Sequence, residues 1–259
     1  MSAKEKVAAA SGAVDYSVYV MGLSERIMYI LLAAAGLFVV GYVFYQSLIM
    51  SAIFAALGIL FPKIRTQQII SARKRKLTLQ FKDMLYSLSS AVGAGSSVES
   101  AMSHVLSDLE QQYGDSEAMM VKELELMVSK LSMNQNIEDV FADFAERSGI
   151  EDVKTFANIF EISKRTGGNM VQIIRQTVSV IAEKIEIQQE MQTLLSGKKM
   201  EQRVLTVVPV ALVFMLTITT DGFMEPIFTT VAGRIVATIA LVMIGVSYFW
   251  SKRITDIQI

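Results

Sequence analysis

Cysteine is absent from this 259-residue chain, which excludes disulfides, thiol catalysis and cysteine-based zinc or iron–sulfur sites. Histidine occurs once, at His104. A metal there would need carboxylates, and Asp108, one turn on, is the only helical neighbour of that kind, so His104 reads as a surface or partly buried helix residue. Only three prolines, with abundant Ala, Leu, Ile, Met, Glu and Lys, point to an almost wholly helical chain. The formal net charge of -1 gives no electrostatic case for binding nucleic acid. No Gly-x-Ser-x-Gly elbow occurs. Gly93-Ala94-Gly95-Ser96 lacks both the Gly-Lys-Ser/Thr ending and the preceding strand of a phosphate loop, and reads as a helix C-cap followed by an N-cap. No catalytic, metal or cofactor-binding residue is therefore expected, and no cofactor. The chain reads as a non-enzyme.

Hydrophobic residues make up 52% of the chain but are unevenly spread. Residues 27–61 carry no charge and 204–250 very little, while most Lys, Arg, Asp and Glu lie between them. That segregation predicts a multi-pass membrane protein with a polar domain between its spans. Arg26 introduces the first span, Ile27 to Tyr45, and Gln46-Ser47 interrupts it. Leu48 to Phe61, before Pro62, is short for a second span and would cross tilted or with local thinning, the alternative being a re-entrant hairpin. Val204 to Thr219 and Ile235 to Trp250 are the third and fourth, joined by an outer turn at Asp221-Gly222 and Glu225-Pro226.

Positive charge supplies the orientation. Lys63, Arg65, Arg73, Lys74, Arg75 and Lys76 follow the first pair of spans. Lys198, Lys199 and Arg203 precede the second pair, and Lys252 and Arg253 follow it. Within the pairs there is none at Gln46-Ser47 and only Arg234 near the other turn. The positive-inside rule puts both termini and the central domain in the cytoplasm, with the juxtamembrane cations beside anionic lipid headgroups. The expected organisation is an N-terminal cytoplasmic segment over 1–25, a two-span hairpin over 26–62, a cytoplasmic helical domain over 63–203, a second hairpin over 204–251 and a cytoplasmic tail over 252–259. The N-terminal segment is too long and polar for a cleaved signal peptide and is expected to be mobile or a short surface helix.

The central domain shows no strand-like alternation and six helix signals. Leu77, Phe81, Met84, Leu85, Leu88 and Val92 form an apolar stripe ending at Gly93-Ala94-Gly95. Ser96 with Glu99 reads as a capping box opening a second helix through Val98, Met102, Val105, Leu106 and Leu109. Gly114-Asp115 separates it from a third helix bearing Met120, Leu124, Met127 and Leu131. Asn136 would cap a fourth, carrying Val140, Phe141 and Phe144. A capping box at Ser148 and Glu151 would open a fifth, with Val153, Ala157 and Phe160. Thr166-Gly167-Gly168-Asn169 ends that helix and caps a sixth, which carries Ile174, Val178, Ile181 and Ile185 on one face and Arg175, Ser179, Glu183, Glu186 and Glu190 on the other. A break this short folds the last two back antiparallel. Aligning Gly95 with Gly167 also matches Phe81 with Val153, Leu85 with Ala157, Leu88 with Phe160, Val98 with Met170 and Met102 with Ile174, as two packed helix-Gly-helix hairpins would require.

Two stretches, Leu85 to Met102 (LYSLSSAVGAGSSVESAM) and Phe144 to Val180 (beginning FAERSGIEDVKTFANIFEISKRTGGNMVQIIRQTV), resemble the type II secretion system F domain family. Its members, of the GspF and TadB/TadC kind, are inner-membrane platform proteins of type II secretion, type IV pili and tight-adherence pili. One such domain flanked by two spans on each side looks most like the TadB/TadC type. The resemblance implies an all-α, four-span, non-enzymatic scaffold in the bacterial inner membrane. Its implied partners are a cytoplasmic hexameric secretion or pilus ATPase, pilin subunits, a paralogous platform protein and copies of itself. Gly95, Gly167 and Gly168 carry over as structural turns only. A membrane-embedded signalling scaffold is the alternative reading.

Overall fold

The computed structural model describes residues 14–114, 118–220 and 222–255, and among these every regular element is helical. Residues 1–13, Asp115, Asp221 and the tail residues 256–259, on which some sequence expectations fall, lie outside the described residues. The helices are α1 (Leu23–Tyr45), α2 (Leu48–Ala56), α3 (Phe61–Gly93), α4 (Val98–Tyr113), α5 (Met119–Ser132), α6 (Ile137–Ser148), α7 (Glu151–Thr166), α8 (Met170–Thr219), α9 (Glu225–Thr229) and α10 (Val231–Thr255), with a 3-10 turn at Leu57–Leu60. The described residues divide into two compact units, one of residues 14–20 and 66–185, the other of 21–65 and 186–255.

Among the described residues four helical stretches are long and apolar enough to cross a membrane: Leu23–Tyr45, Leu48–Gly93, Met170–Thr219 and Val231–Ser251. Gln46, with φ +44, turns α1 back along α2. Small residues then let the two backbones approach: a Cβ on Gly41 would lie 3.0 Å from Ser51 Cα, and one on Gly58 2.8 Å from Ala34 N. Phe44, Tyr45 and Ala237 are buried together, and the Tyr45 hydroxyl lies 2.7 Å from Thr238 Oγ1.

Pro62 does not break the helix. It sits in the first turn of α3, where a missing N–H leaves nothing unsatisfied, and the 3-10 turn joins α2 to α3 in one helical run. The sixth bundle helix and the third apolar run are likewise one helix, α8, of 50 residues with Pro209 inside it. The connection between the last two apolar runs is more than a turn. It holds the short helix α9, and Gly233 is required because a Cβ there would lie 2.4 Å from Pro226 O.

The polar unit is the six-helix bundle, built from the later part of α3, from α4 to α7 and from the start of α8. Leu77, Phe81, Met84, Leu85 and Leu88 are fully buried against Met102, Val105, Leu124, Val140, Phe144, Val153, Phe160 and Ile174. At its centre Phe141 meets Phe156 edge-on at 5.2 Å and Phe160 at 5.0 Å, and Phe81 meets Phe156 at 5.7 Å. Each buried aromatic contributes about 2–3 kcal/mol of hydrophobic transfer. Helices α3 and α4 form one antiparallel hairpin and α7 and α8 another. Tyr113 reaches back to Asp83 Oδ2 at 2.6 Å and Lys184 to Asp152 Oδ1 at 3.1 Å, each pair straddling its turn.

Three expected caps differ in detail. The N–H of Ser96 closes α3 by donating to Ala91 O, so Ser97 takes the N-cap and its Oγ accepts from Ser100 N at 3.1 Å. The expected Ser96–Glu99 pairing is thereby displaced by one residue, and Glu99 meets Ser97 and a backbone amide at the helix start instead. Gly149, in the left-handed region, lets α6 run through Ser148, so Ile150 is the N-cap of α7 and no Ser148–Glu151 box forms. Asn136 does occupy the N-cap of α6, but its side chain turns to Asp139 rather than to the helix amides.

The N-terminal segment is not a free surface arm over its described part. Tyr16 is 4% exposed and belongs to the bundle core.

Candidate functional site

One end of the bundle gathers both glycine turns and three helix N-termini. Gly95 (φ +98) and Gly167 (φ +73) adopt the left-handed backbone that glycine takes without strain, and open space surrounds both. The two turns match in detail. Ser96 N donates to Ala91 O and Gly168 N to Ser163 O, each closing a helix by the same six-residue return. Ser97 then caps α4, and Asn169 Oδ1 caps α8 by accepting from Gln172 N at 3.1 Å. Gly168 is not left-handed; a Cβ there would press on Ser163 Cβ at 3.2 Å. The two hairpins also meet here, since a Cβ on Gly93 would lie 3.5 Å from Arg175 Nη2 and 4.0 Å from Val171 Cγ1.

Lys164, in the last turn of α7, bridges Glu99 Oε1 at 3.1 Å and Glu138 Oε2 at 3.0 Å, in the first turns of α4 and α6. Burial alone would raise both carboxyls, but backbone amides at their own helix starts and the Lys164 ammonium hold them below the usual range. The triad fastens three helix ends. Each carboxylate is held by a cation and a helix terminus, an arrangement suited to structure rather than to proton transfer.

The other end of the bundle is fastened by groups that helical periodicity did not reveal. Arg147 grips the buried Glu123 with both terminal guanidinium nitrogens, binds Asp143 through Nε at 3.0 Å, and donates from Nη1 to Val14 O at 3.2 Å. Tyr16 N donates to Arg147 O at 3.0 Å, and its hydroxyl reaches Met119 O at 3.4 Å. Burial, and then the Glu123 carboxylate, push that hydroxyl far above its ordinary titration range. The only sequence signal was an aromatic in an otherwise Ala/Ser-rich lead.

The expected topology residues divide by use. Arg73 stacks on the Tyr19 ring, 4.4 Å from its centroid, and so also holds the N-terminal segment on the bundle, while Lys74 donates to Gly149 O at 2.8 Å and ties α3 to the turn between α6 and α7. Arg65 lies over Tyr29, 5.5 Å from its centroid. Lys198 pairs with Glu201 at 3.0 Å. Lys63, Arg75, Lys76, Lys199, Arg203 and Arg253 are exposed, and Lys252 lies within α10 with its side chain outside the described residues. His104 is exposed, and no group of His, Asp or Glu among the described residues is placed to hold a metal ion.

No curated protein and no solved structure matches the chain. The model of the family described as type II secretion system (T2SS), protein F matches residues 84–218, from the middle of α3 to the end of α8 and just over half of the chain. The matched span takes in both glycine turns, the Lys164 triad and the Arg147–Glu123 pair. This chain belongs to the type II secretion system protein F family.

Proposed function

We propose that this protein is the non-enzymatic inner-membrane platform of a type IV or tight-adherence pilus, or of a type II secretion machine. In that role it couples a cytoplasmic hexameric ATPase to the assembly of pilin subunits, with a paralogous platform protein and copies of itself as neighbours. Membership of the protein F family carries the reading. Both termini and the six-helix bundle face the cytoplasm, by the concentration of Lys and Arg at one end of every apolar run. Gly95, Gly167 and Gly168 serve as structural turns, and the juxtamembrane cations fix orientation and meet anionic headgroups. One span pair on each side of a single bundle favours the TadB/TadC arrangement.

Helix α8 supports a mechanical role. The same unbroken helix that buries Ile174 and Ile181 in the bundle continues into the apolar run from Val204. A signalling scaffold is the weaker reading, because the connection at Gln46-Ser47 offers no room for an external sensor.

The test is co-purification of the detergent-solubilised full-length chain with the secretion-type ATPase of the same organism, recording ATP turnover with and without it. Specific association, lost on deleting residues 77–196, is expected. A folded protein that neither binds the ATPase nor alters turnover would overturn the platform role and favour the signalling scaffold.

A further inference from the structure

Helix α8 contains a long stretch that no core supports. Ile185 packs on the bundle core, and Gln202 Nε2 donates to Tyr248 O at 3.4 Å. Between them, over residues 186–201, no residue is buried and none belongs to either apolar cluster. Charges at Glu186, Glu190, Lys198, Lys199 and Glu201 keep the stretch in water. A helix of that length without tertiary packing rests on intrinsic propensity alone, which is marginal.

Gly197 sits in this stretch, and glycine is the poorest helix former after proline. Other glycines of the chain show what demands the residue. At Gly41, Gly58 and Gly233 a Cβ would strike a neighbouring backbone, and Gly95 and Gly167 are left-handed. Gly197 has neither reason, because open space surrounds it and its backbone is helical. What glycine supplies there is ease of bending, and Gly/Ser pairs are recurrent kink points in long helices. Ser196 precedes it. Ser196 Oγ donates to Thr193 O at 2.7 Å and Thr193 Oγ1 to Gln189 O at 3.0 Å, bonds of the kind that bend a helix by competing for its carbonyls.

We infer that Ser196-Gly197 is a hinge at which α8 bends between its bundle-packed and its apolar parts. The helix is then a jointed arm rather than a rigid rod, and an angular displacement of one part is absorbed at the joint before it reaches the other. Helix α3 also enters both units, but it has no glycine between Phe61 and Gly93 and so lacks a joint of this kind. The inference rests on the helix itself, not on the secretion reading.

The absence of native cysteine lets nitroxide labels be placed in pairs. Double variants of the full chain would be labelled in lipid nanodiscs and diluted with unlabelled chain, so that pulsed electron resonance reads distances within one copy. Ser179→Cys with Val207→Cys spans the joint, about 42 Å along a straight helix, and Gln172→Cys with Glu190→Cys lies wholly before it, about 27 Å. All four positions are exposed, and the spanning pair stops short of Pro209. The spanning pair is expected to give a distance distribution roughly twice as wide as the other, and Gly197→Ala to narrow it toward the other's width. A spanning pair as narrow as the control in the parent chain would overturn the hinge. So would a wide distribution that Gly197→Ala leaves unchanged, which would place the bending elsewhere in α8.

Discussion

Arg147 and Glu123 face each other as a two-pronged ion pair, Nη1 to Oε1 at 2.8 Å and Nη2 to Oε2 at 2.7 Å, with the Glu123 side chain only 3% exposed. The guanidinium also ties in Asp143 and Val14 O, so one side chain joins α5, α6 and the N-terminal segment. Burial would lower Arg147, but its bonds to Glu123 and Asp143 hold it above its usual range and keep it charged. Removing the cation leaves a buried carboxylate without its partner, the costly half of such an exchange. Arg147→Met is expected to destabilise the bundle by about 3 kcal/mol, and Glu123→Leu in the same chain to restore much of it. A single variant that melts like the parent would contradict the assignment.

Tyr16 anchors the N-terminal segment in the bundle core. Its ring is buried, while its hydroxyl bond to Met119 O is long at 3.4 Å. Tyr16→Ala is expected to cost about 3 kcal/mol through the cavity it opens, and Tyr16→Phe less than about 1 kcal/mol. Thermal melting of the detergent-solubilised chain distinguishes them; equal losses would mean that the hydroxyl, not the ring, holds the segment.

Gly167 and Gly168 are constrained for different reasons. Space is open around Gly167, so its restriction is the left-handed backbone, whereas Gly168 is restricted by Ser163. Gly167→Val is expected to destabilise by about 1–2 kcal/mol, and Gly167→Asn by distinctly less, since Asn tolerates this conformation. Equal effects in denaturant midpoints would show that crowding, not φ, sets the cost.

Acid should loosen the bundle. Burial raises Glu99, Glu138 and Asp143, but the Lys164, Lys130 and Arg147 contacts, with backbone amides at the two glutamates, hold all three below their ordinary values. Carboxyls depressed on folding contribute stability that is complete above their unfolded values, near 4, and is lost as pH falls through the folded ones. Melting temperature is expected to hold steady from neutrality to about pH 5 and then fall, with a shallower fall in Lys164→Met. A melting temperature that rises between pH 5 and 3 would reverse the sign and defeat the account.

Most of the architecture was legible in residue spacing. The charge-free stretches marked the membrane helices, and Phe81, Met102, Phe144 and Phe160 fell on the buried faces that their periodicity assigned. What escaped notice depends on long-range chemistry. Glu123 carries no mark of burial in sequence, since only Arg147, distant along the chain, makes its burial tolerable. Tyr16 was invisible for the same reason. Phe156 went unread beside Ala157, although it lies on the same core face and joins Phe81 to Phe141. Helix ends slipped by a residue where two signals competed: Ser96 gave its amide to close α3, so Ser97 became the cap. The continuity of α3 and α8 was missed because Pro62 and the change in polarity resemble boundaries, while a backbone in helical conformation crosses both at no cost.

The most direct test of the platform account is the side of the membrane on which the bundle lies. Ser103→Cys on the exposed face of α4 and Ser47→Cys at the first span connection would each be probed with a membrane-impermeant maleimide in intact cells and again after lysis. The account predicts that Ser47→Cys reacts in intact cells and Ser103→Cys only after lysis, placing the six-helix bundle where a cytoplasmic ATPase can reach it. Labelling of Ser103→Cys in intact cells would put the bundle outside and contradict the platform role.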